Sequence, residues 1–152
     1  MTSIRRIAVW IALITIGIIA LVWFLSPRRQ VQALVRDMRD AVENEDVATC
    51  MGWLASEYRD AYGYGVEDIR ELLLTSFDEL TDIHVTLIDT DIELNQDMAT
   101  VRIVFRMVAT HSLGLRGYVL GDPRLPVMVI VRLRYPAIGW RIVGMERISR
   151  VQ

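Results

Sequence analysis

VMVIVRLRYPAIGWRIVGMERI, residues 127–148, is the stretch that decides the fold. Val127, Val129, Val131, Leu133 and Tyr135 alternate with Met128, Ile130, Arg132 and Arg134, so one set of side chains faces a core and the other does not. Pro136-Ala137-Ile138-Gly139 reads as a hairpin loop. Beyond it Trp140, Ile142 and Gly144 alternate with Arg141, Val143 and Met145 in a last strand. Two paired strands of this kind cannot bury their apolar face alone, and the rest of the chain must cover it.

Upstream, the hydrophobic period changes from 3.6 to 2 at Asp82. Ile83, Val85 and Leu87 alternate with His84 and Thr86. The cluster Asn95-Gln96-Asp97 reads as a turn, after which Val101, Ile103, Phe105 and Met107 alternate with Thr100, Arg102 and Arg106. Residues 112–126 hold three glycines and two prolines, which predicts a long, turn-rich connection. Before Asp82 the chain is helical. Val31, Leu34, Val35, Met38, Ala41 and Val42 form one stripe of a helix from Arg28 to Glu43, with Pro27 suited to its first turn. Asp46 is placed to cap a second helix that turns Val47, Met51 and Leu54 inward. After the breaker AYGYG, residues 61–65, a third helix runs from Val66 to Leu80 with Val66, Ile69, Leu72, Leu73 and Phe77 on one face.

Helices followed by consecutive hairpin strands define an α+β layer, with helices packed on a curved antiparallel sheet. Three segments carry a family likeness: VENEDVATCMGWLASEYRD, GVEDIRELLLTSF and the closing hairpin with Trp140 just after its turn. Together they resemble the nuclear transport factor 2-like superfamily, an α+β cone, over residues 28–150. The resemblance implies a cone whose mouth can take a small apolar ligand. In the ketosteroid isomerases and polyketide cyclases of that superfamily, acids and a tyrosine occupy the pocket.

Ahead of this domain, residues 7–25 read IAVWIALITIGIIALVWFL, without a charge. Such a helix is about 28 Å long, close to the hydrocarbon thickness of a bilayer. Arg5 and Arg6 precede it, and Pro27, Arg28 and Arg29 follow; Trp10, Trp23 and Phe24 lie near its ends, where aromatic rings favour the interface. The expected organisation is a tail (1–6), a transmembrane anchor (7–25) and the α+β domain (28–150). A cleaved signal core is usually shorter, and Ser26-Pro27-Arg28-Arg29 is a poor cleavage site. Counted literally, Arg28, Arg29, Arg36 and Arg39 after the span against two arginines before it would keep the domain inside, whereas a short tail that stays inside is the simpler insertion and favours the external side.

Residues 26–152 hold all 19 acids and 15 of the 17 basic residues, a net charge near −4, which argues against a phosphate-backbone footprint and so against nucleic acid. Every basic residue is arginine. The lone Cys50 excludes an internal disulfide and reads as a small buried hydrophobe. No phosphate loop, GxSxG elbow, CxxC or HExxH occurs, and His84 and His111 stand 27 positions apart, so neither a metal nor a cofactor is expected.

A carboxylate base with a proton donor to an oxyanion needs a dry, enclosed site. The polar groups in reach of the cone are Tyr58, Tyr62, Asp89, Asp91, His111 and Glu146. Asp89 and Asp91 continue the inward phase of Ile83, Val85 and Leu87; Glu146 continues that of Trp140 and Ile142. These acids stand where strands end, as a solvated rim would, and the isomerase constellation cannot be matched residue by residue. The expectation is a membrane-tethered, non-catalytic interaction or small-ligand-binding domain. The alternatives are a tethered isomerase, lyase or cyclase on an apolar substrate, and a component of a secretion-type membrane assembly. The other sheet face should carry Arg102, Arg106, Ile130, Arg132, Arg134, Arg141 and Met145, with Val104, Val108, Met128, Val143 and Arg147 beside them. Mixed arginine and apolar surface suits an interface, here with a second copy or an acidic partner.

Overall fold

A computed structural model describes residues 2–135 and 139–148, with backbone alone for 2–10, 23 and 24. The proposed loop at Pro136, Ala137 and Ile138, and the flanking residues Arg5, Arg6, Trp10, Trp23 and Phe24, fall outside the residues whose side chains are described. Among the described residues four helices, α1 (Thr2–Phe24), α2 (Pro27–Glu43), α3 (Val47–Gly52) and α4 (Val66–Glu79), precede five strands: β1 (Leu80–Asn95), β2 (Met98–His111), β3 (Arg116–Leu120), β4 (Val127–Arg134) and β5 (Arg141–Ile148). The strands form one antiparallel sheet in the order β1-β2-β4-β5, and β3 continues the β4 position along β2. The sheet does not close. This is the α+β arrangement expected, with helices over one face.

The first half of α2 follows its sequence stripe closely. Val31, Leu34, Val35 and Ala41 are buried, and Met38 and Val42 pack at the margins. The helix ends where no glycine marks it. Glu45 takes φ 56°, its N–H donates to the Val42 carbonyl, and the Asp46 N–H reaches the Ala41 carbonyl at 2.9 Å, a Schellman ending. Asp46 then caps α3 at once: its carboxylate accepts from the Thr49 N–H at 3.0 Å and the Thr49 hydroxyl at 2.6 Å.

The main core joins α2 to the sheet through Val31, Leu34, Val35, Tyr58, Val101, Val131, Leu133, Trp140 and Ile142. A second cluster, Leu80, Ile83, Val85, Met107 and Ala109, lies at the other end of β1 and β2. Residues 53–61 run along the free edge of β5. The Ile142 N–H donates to Trp53, Ala55 to Ile142, Arg59 to Val143 and Ala61 to Met145, so the edge is covered rather than left open to pairing.

Several local expectations are corrected. The 112–126 connection contains β3, because Arg116 to Leu120 pair with Thr110 to Met107. The third helix stops at Glu79, and Leu80 already opens β1. None of its residues is fully buried, and Leu72, expected inward, is 55% exposed. Register shifts put an extra residue into β1 twice and into β3 and β5 once each. In β1 the register steps from Leu87↔Phe105 to Asp89↔Val104, and in β5 from Leu133↔Ile142 to Arg132↔Gly144. Each bulge at Ile88 and Val143 reverses the phase beyond it.

Among the described residues no single helix is long and apolar enough to cross a membrane. Ile11–Val22, the part of α1 with described side chains, is too short by itself. With Pro27–Glu43, bent from it by 56°, it meets the length and composition needed.

Candidate functional site

The bulges at Ile88 and Val143 decide what enters the cone. Beyond Ile88 it is Ile92 that is buried, opposite Val101, while Asp91 pairs across the outer face with Arg102. The Arg102 Nη2 to Asp91 Oδ2 distance is 3.0 Å. Asp89 is exposed beside Val104. Beyond Val143 the inward residue is Met145, opposite Val131 and packed on the main core, while Glu146 is exposed opposite Ile130. The inward phase expected for Asp89, Asp91 and Glu146, and the outward phase expected for Met145, are therefore reversed. The register fault responsible adds one residue without changing composition, so period-two counting passes through it.

The remaining polar candidates do not meet either. His111 is exposed at the far end of β2, where its N–H donates to the Leu115 carbonyl. Tyr62 is 65% exposed in the loop after α3. That loop is built by Asp60, whose carboxylate accepts from the N–H groups of Tyr62 at 2.8 Å and Tyr64 at 2.9 Å. Tyr58 alone lies inside, 3% exposed within the main core. Burial, with the nearby Asp60 charge, pushes its phenol up to about 12, so it stays protonated at neutral pH. Cys50 is half-buried, and desolvation raises its thiol too, which suits packing rather than nucleophilic chemistry.

The interior has been filled by its own side chains. Leu133, Ile142, Val31, Val101 and Val131 are almost wholly inaccessible. Four depressions are open to solvent, and none of them is lined by these five side chains. One, about 280 Å³, is bounded by Leu54, Ala55, Ser56, Glu57, Arg134, Arg141 and Val143, with Arg134 and Glu57 paired across it. Two polar atoms stand out inside: the indole N–H groups of Trp53 and Trp140 are buried and donate to no acceptor among the described residues. Composition could not reveal them, since any tryptophan in a core raises the same question. Among the described residues no group of three His, Cys, Asp or Glu side chains is arranged to hold a metal ion.

On the outer sheet face Arg102, Ile130 and Glu146 share one cross-strand row, and Val104, Met128 and Ile148 the next. Arg132 lies over Gly144: a Cβ there would stand 2.9 Å from its Nη2 and 3.1 Å from the Arg59 carbonyl oxygen. Arg134 is opposite Arg141, and Arg106 opposite Thr86.

Solved structures of the same architecture are found at very low sequence identity. A candidate aromatic ring hydroxylase from Novosphingobium aromaticivorans matches with a TM-score of 0.70 and 15% identity over 84% of this chain and 92% of its own. A nuclear transport factor 2-like superfamily protein from Salmonella enterica gives 0.69 and 12%, covering 84% and 93%. A candidate dehydratase of the same fold family from Streptomyces avermitilis gives 0.67 and 14%, covering 82% and 96%. No family model matches the chain, and no curated protein matches it in sequence. The fold is therefore that of the nuclear transport factor 2-like proteins, and the likeness extends to fold alone.

Proposed function

We propose that the chain is a membrane-tethered, non-catalytic module that presents a nuclear transport factor 2-like domain at a bilayer surface, on the external side. The observation that carries the non-catalytic reading is the filling of the cone: Asp89, Asp91 and Glu146 all stand outside it, and the interior they would have to serve is occupied by Leu133, Val131 and Ile142. General acid–base chemistry needs such groups within hydrogen-bond reach of an enclosed substrate. The tether is supported by the apolar side chains of Ile11 to Val22, which are exposed along the whole stretch. The half-buried row Val104, Met128 and Ile148, next to Ile130 between Arg102 and Glu146, supports pairing with a second copy through the sheet.

Purified chain assayed on ketosteroid-like and polyketide-like substrates should show no turnover. Isomerase activity that Asp89→Asn abolishes with the fold intact would overturn the proposal. In detergent, sedimentation should give a dimer that Ile130→Asp converts to a monomer; a wild-type monomer at high concentration removes the pairing.

A second reading, a small-ligand carrier, is favoured by the indole N–H groups of Trp53 and Trp140. A buried donor without a partner costs about 1–3 kcal/mol, which a ligand acceptor in the cone mouth would offset. Tryptophan fluorescence titrated with small apolar ketones would support this by a saturable change lost in Trp53→Phe.

A further inference from the structure

One pair in the sheet sets like charges against each other. Arg134, the last residue of β4, lies directly opposite Arg141, the first of β5. Side chains facing each other across two strands start about 5 Å apart, and like charges there are destabilising. Among the described residues a single carboxylate answers the two guanidiniums. Glu57 Oε1 pairs with Arg134, and Glu57 Oε2 accepts from the Ser56 hydroxyl at 3.1 Å. Arg141 makes no ion pair among the described residues; its Nη1 donates to the carbonyl of its neighbour Trp140 at 3.1 Å. Two arginines and one glutamate leave one positive charge in excess.

That charge borders the depression of about 280 Å³ between β5 and the segment that covers its edge. Arg134 and Arg141 line it together with the apolar side chains of Leu54, Ala55 and Val143. The Tyr58 N–H closes a turn on the Ala55 carbonyl at 3.0 Å, which puts Ser56 and Glu57 on the margin. Neither of their main-chain N–H groups has an acceptor among the described residues. Cationic and apolar surface therefore meet in one concavity, which is small for a ligand site but large enough for a single ring.

We propose that this depression binds a small apolar monocarboxylate, with its carboxylate on Arg141 and Arg134 and its apolar body against Leu54 and Val143. A planar carboxylate matches the guanidinium fork with two parallel hydrogen bonds. One negative charge also completes the balance, whereas a phosphate dianion beside Glu57 would reverse it. Glu57 becomes a competitor for Arg134, and it holds the affinity below what the two arginines would give alone. The site lies outside the cone, at the other end of β4 from Met128, so it rests on neither the tether, the pairing nor the carrier reading.

The test uses the full chain in nonionic detergent, with para-fluorobenzoate as the probe and fluorine NMR line broadening as the readout. The uncharged para-fluorobenzamide has the same shape and serves as control. Broadening should be saturable for the benzoate and absent for the amide. Arg141→Gln should weaken binding roughly tenfold, as the loss of a charge-assisted hydrogen bond does. Glu57→Gln should tighten it severalfold by releasing Arg134, a gain that damage to the fold cannot mimic. Equal broadening by the amide, wild-type affinity in Arg141→Gln, or no gain in Glu57→Gln overturns the proposal. Broadening that survives Arg141→Gln and vanishes in Trp53→Phe would put the ligand in the cone, overturning this site while supporting the carrier reading.

Discussion

Helices α2 and α4 are both amphipathic, α2 the more strongly, and meet opposite fates. Each carries an apolar stripe of period 3.6, yet α2 buries Val31, Leu34, Val35 and Ala41 whereas α4 buries nothing fully and leaves Leu72 and Leu74 more than half exposed. The difference lies in what each meets. α2 runs across the sheet and is tied to the β1 edge by Glu43, while α4 touches it at its ends, with Val66 and Ile69 on the main core and Phe77 on the second cluster. Periodicity names the face a helix would bury; it does not say how much surface exists to receive it.

The comparison breaks first at the sheet under α2. Trp140→Ala should cost about 3–5 kcal/mol, since a buried indole leaves a cavity that the surrounding Val31, Leu133 and Ile142 cannot fill. A melting temperature that stays unchanged would mean that this core carries no more of the stability than α4 does. On the helix itself Leu34→Ala should cost about 2–4 kcal/mol, read by urea unfolding.

Tyr58 sharpens the same contrast through pH. Its folded pKa is raised to about 12 from an ordinary value of 10.0, so the neutral phenol is the form that the core accepts. A raised folded pKa gives stability that is fully present below pH 10 and lost as pH climbs toward 12. Thermal melts should therefore show an alkaline fall between those limits that Tyr58→Phe removes. Exposed Tyr62 offers no such change, and Tyr62→Phe should leave the alkaline limb intact.

The four longer strands and the buried face of α2 were legible because they rest on periodicity over long stretches. Of the inward set of β4, Val127, Val131 and Leu133 are buried and Val129 half-buried, and Asp46 caps as its residue type suggests. What could not be read was phase across a bulge. Ile88 and Val143 are ordinary strand residues, yet each inserts one position, and with it Asp91 and Glu146 move to the outer face while Ile92 and Met145 take the core. The Schellman ending at Glu45 was hidden for a related reason: a left-handed residue is expected to be glycine, and here the capture of the Asp46 N–H by the Ala41 carbonyl holds a glutamate there instead. Strand β3 follows from pairing with β2, and its five residues between glycines have no alternation long enough to announce it.

Asp46→Ala tests the joint between α2 and α3. Hydrogen bonds from the Thr49 hydroxyl and N–H hold the Asp46 carboxyl below the usual carboxylate range, so its contribution exists above the ordinary pKa and is lost as pH falls through the lowered one. The variant should melt slightly lower at neutral pH and converge with the wild type in acid. A difference that persists at low pH would assign the loss to helix propensity rather than to the cap.

The smallest effect should come from α4. Leu72→Ser removes a side chain that is already 55% exposed on a helix with no fully buried residue, so the transfer term is slight and no cavity forms. A surface change of this kind stays within about 0.5 kcal/mol. The substitution at Phe77, on the same helix and packed on the second cluster, should cost more, because that position has partners to lose. If Leu72→Ser instead destabilised as much as Leu34→Ala, the exposed stripe of α4 would have to be covered in solution, and sedimentation of the two variants would show whether a second copy provides that cover.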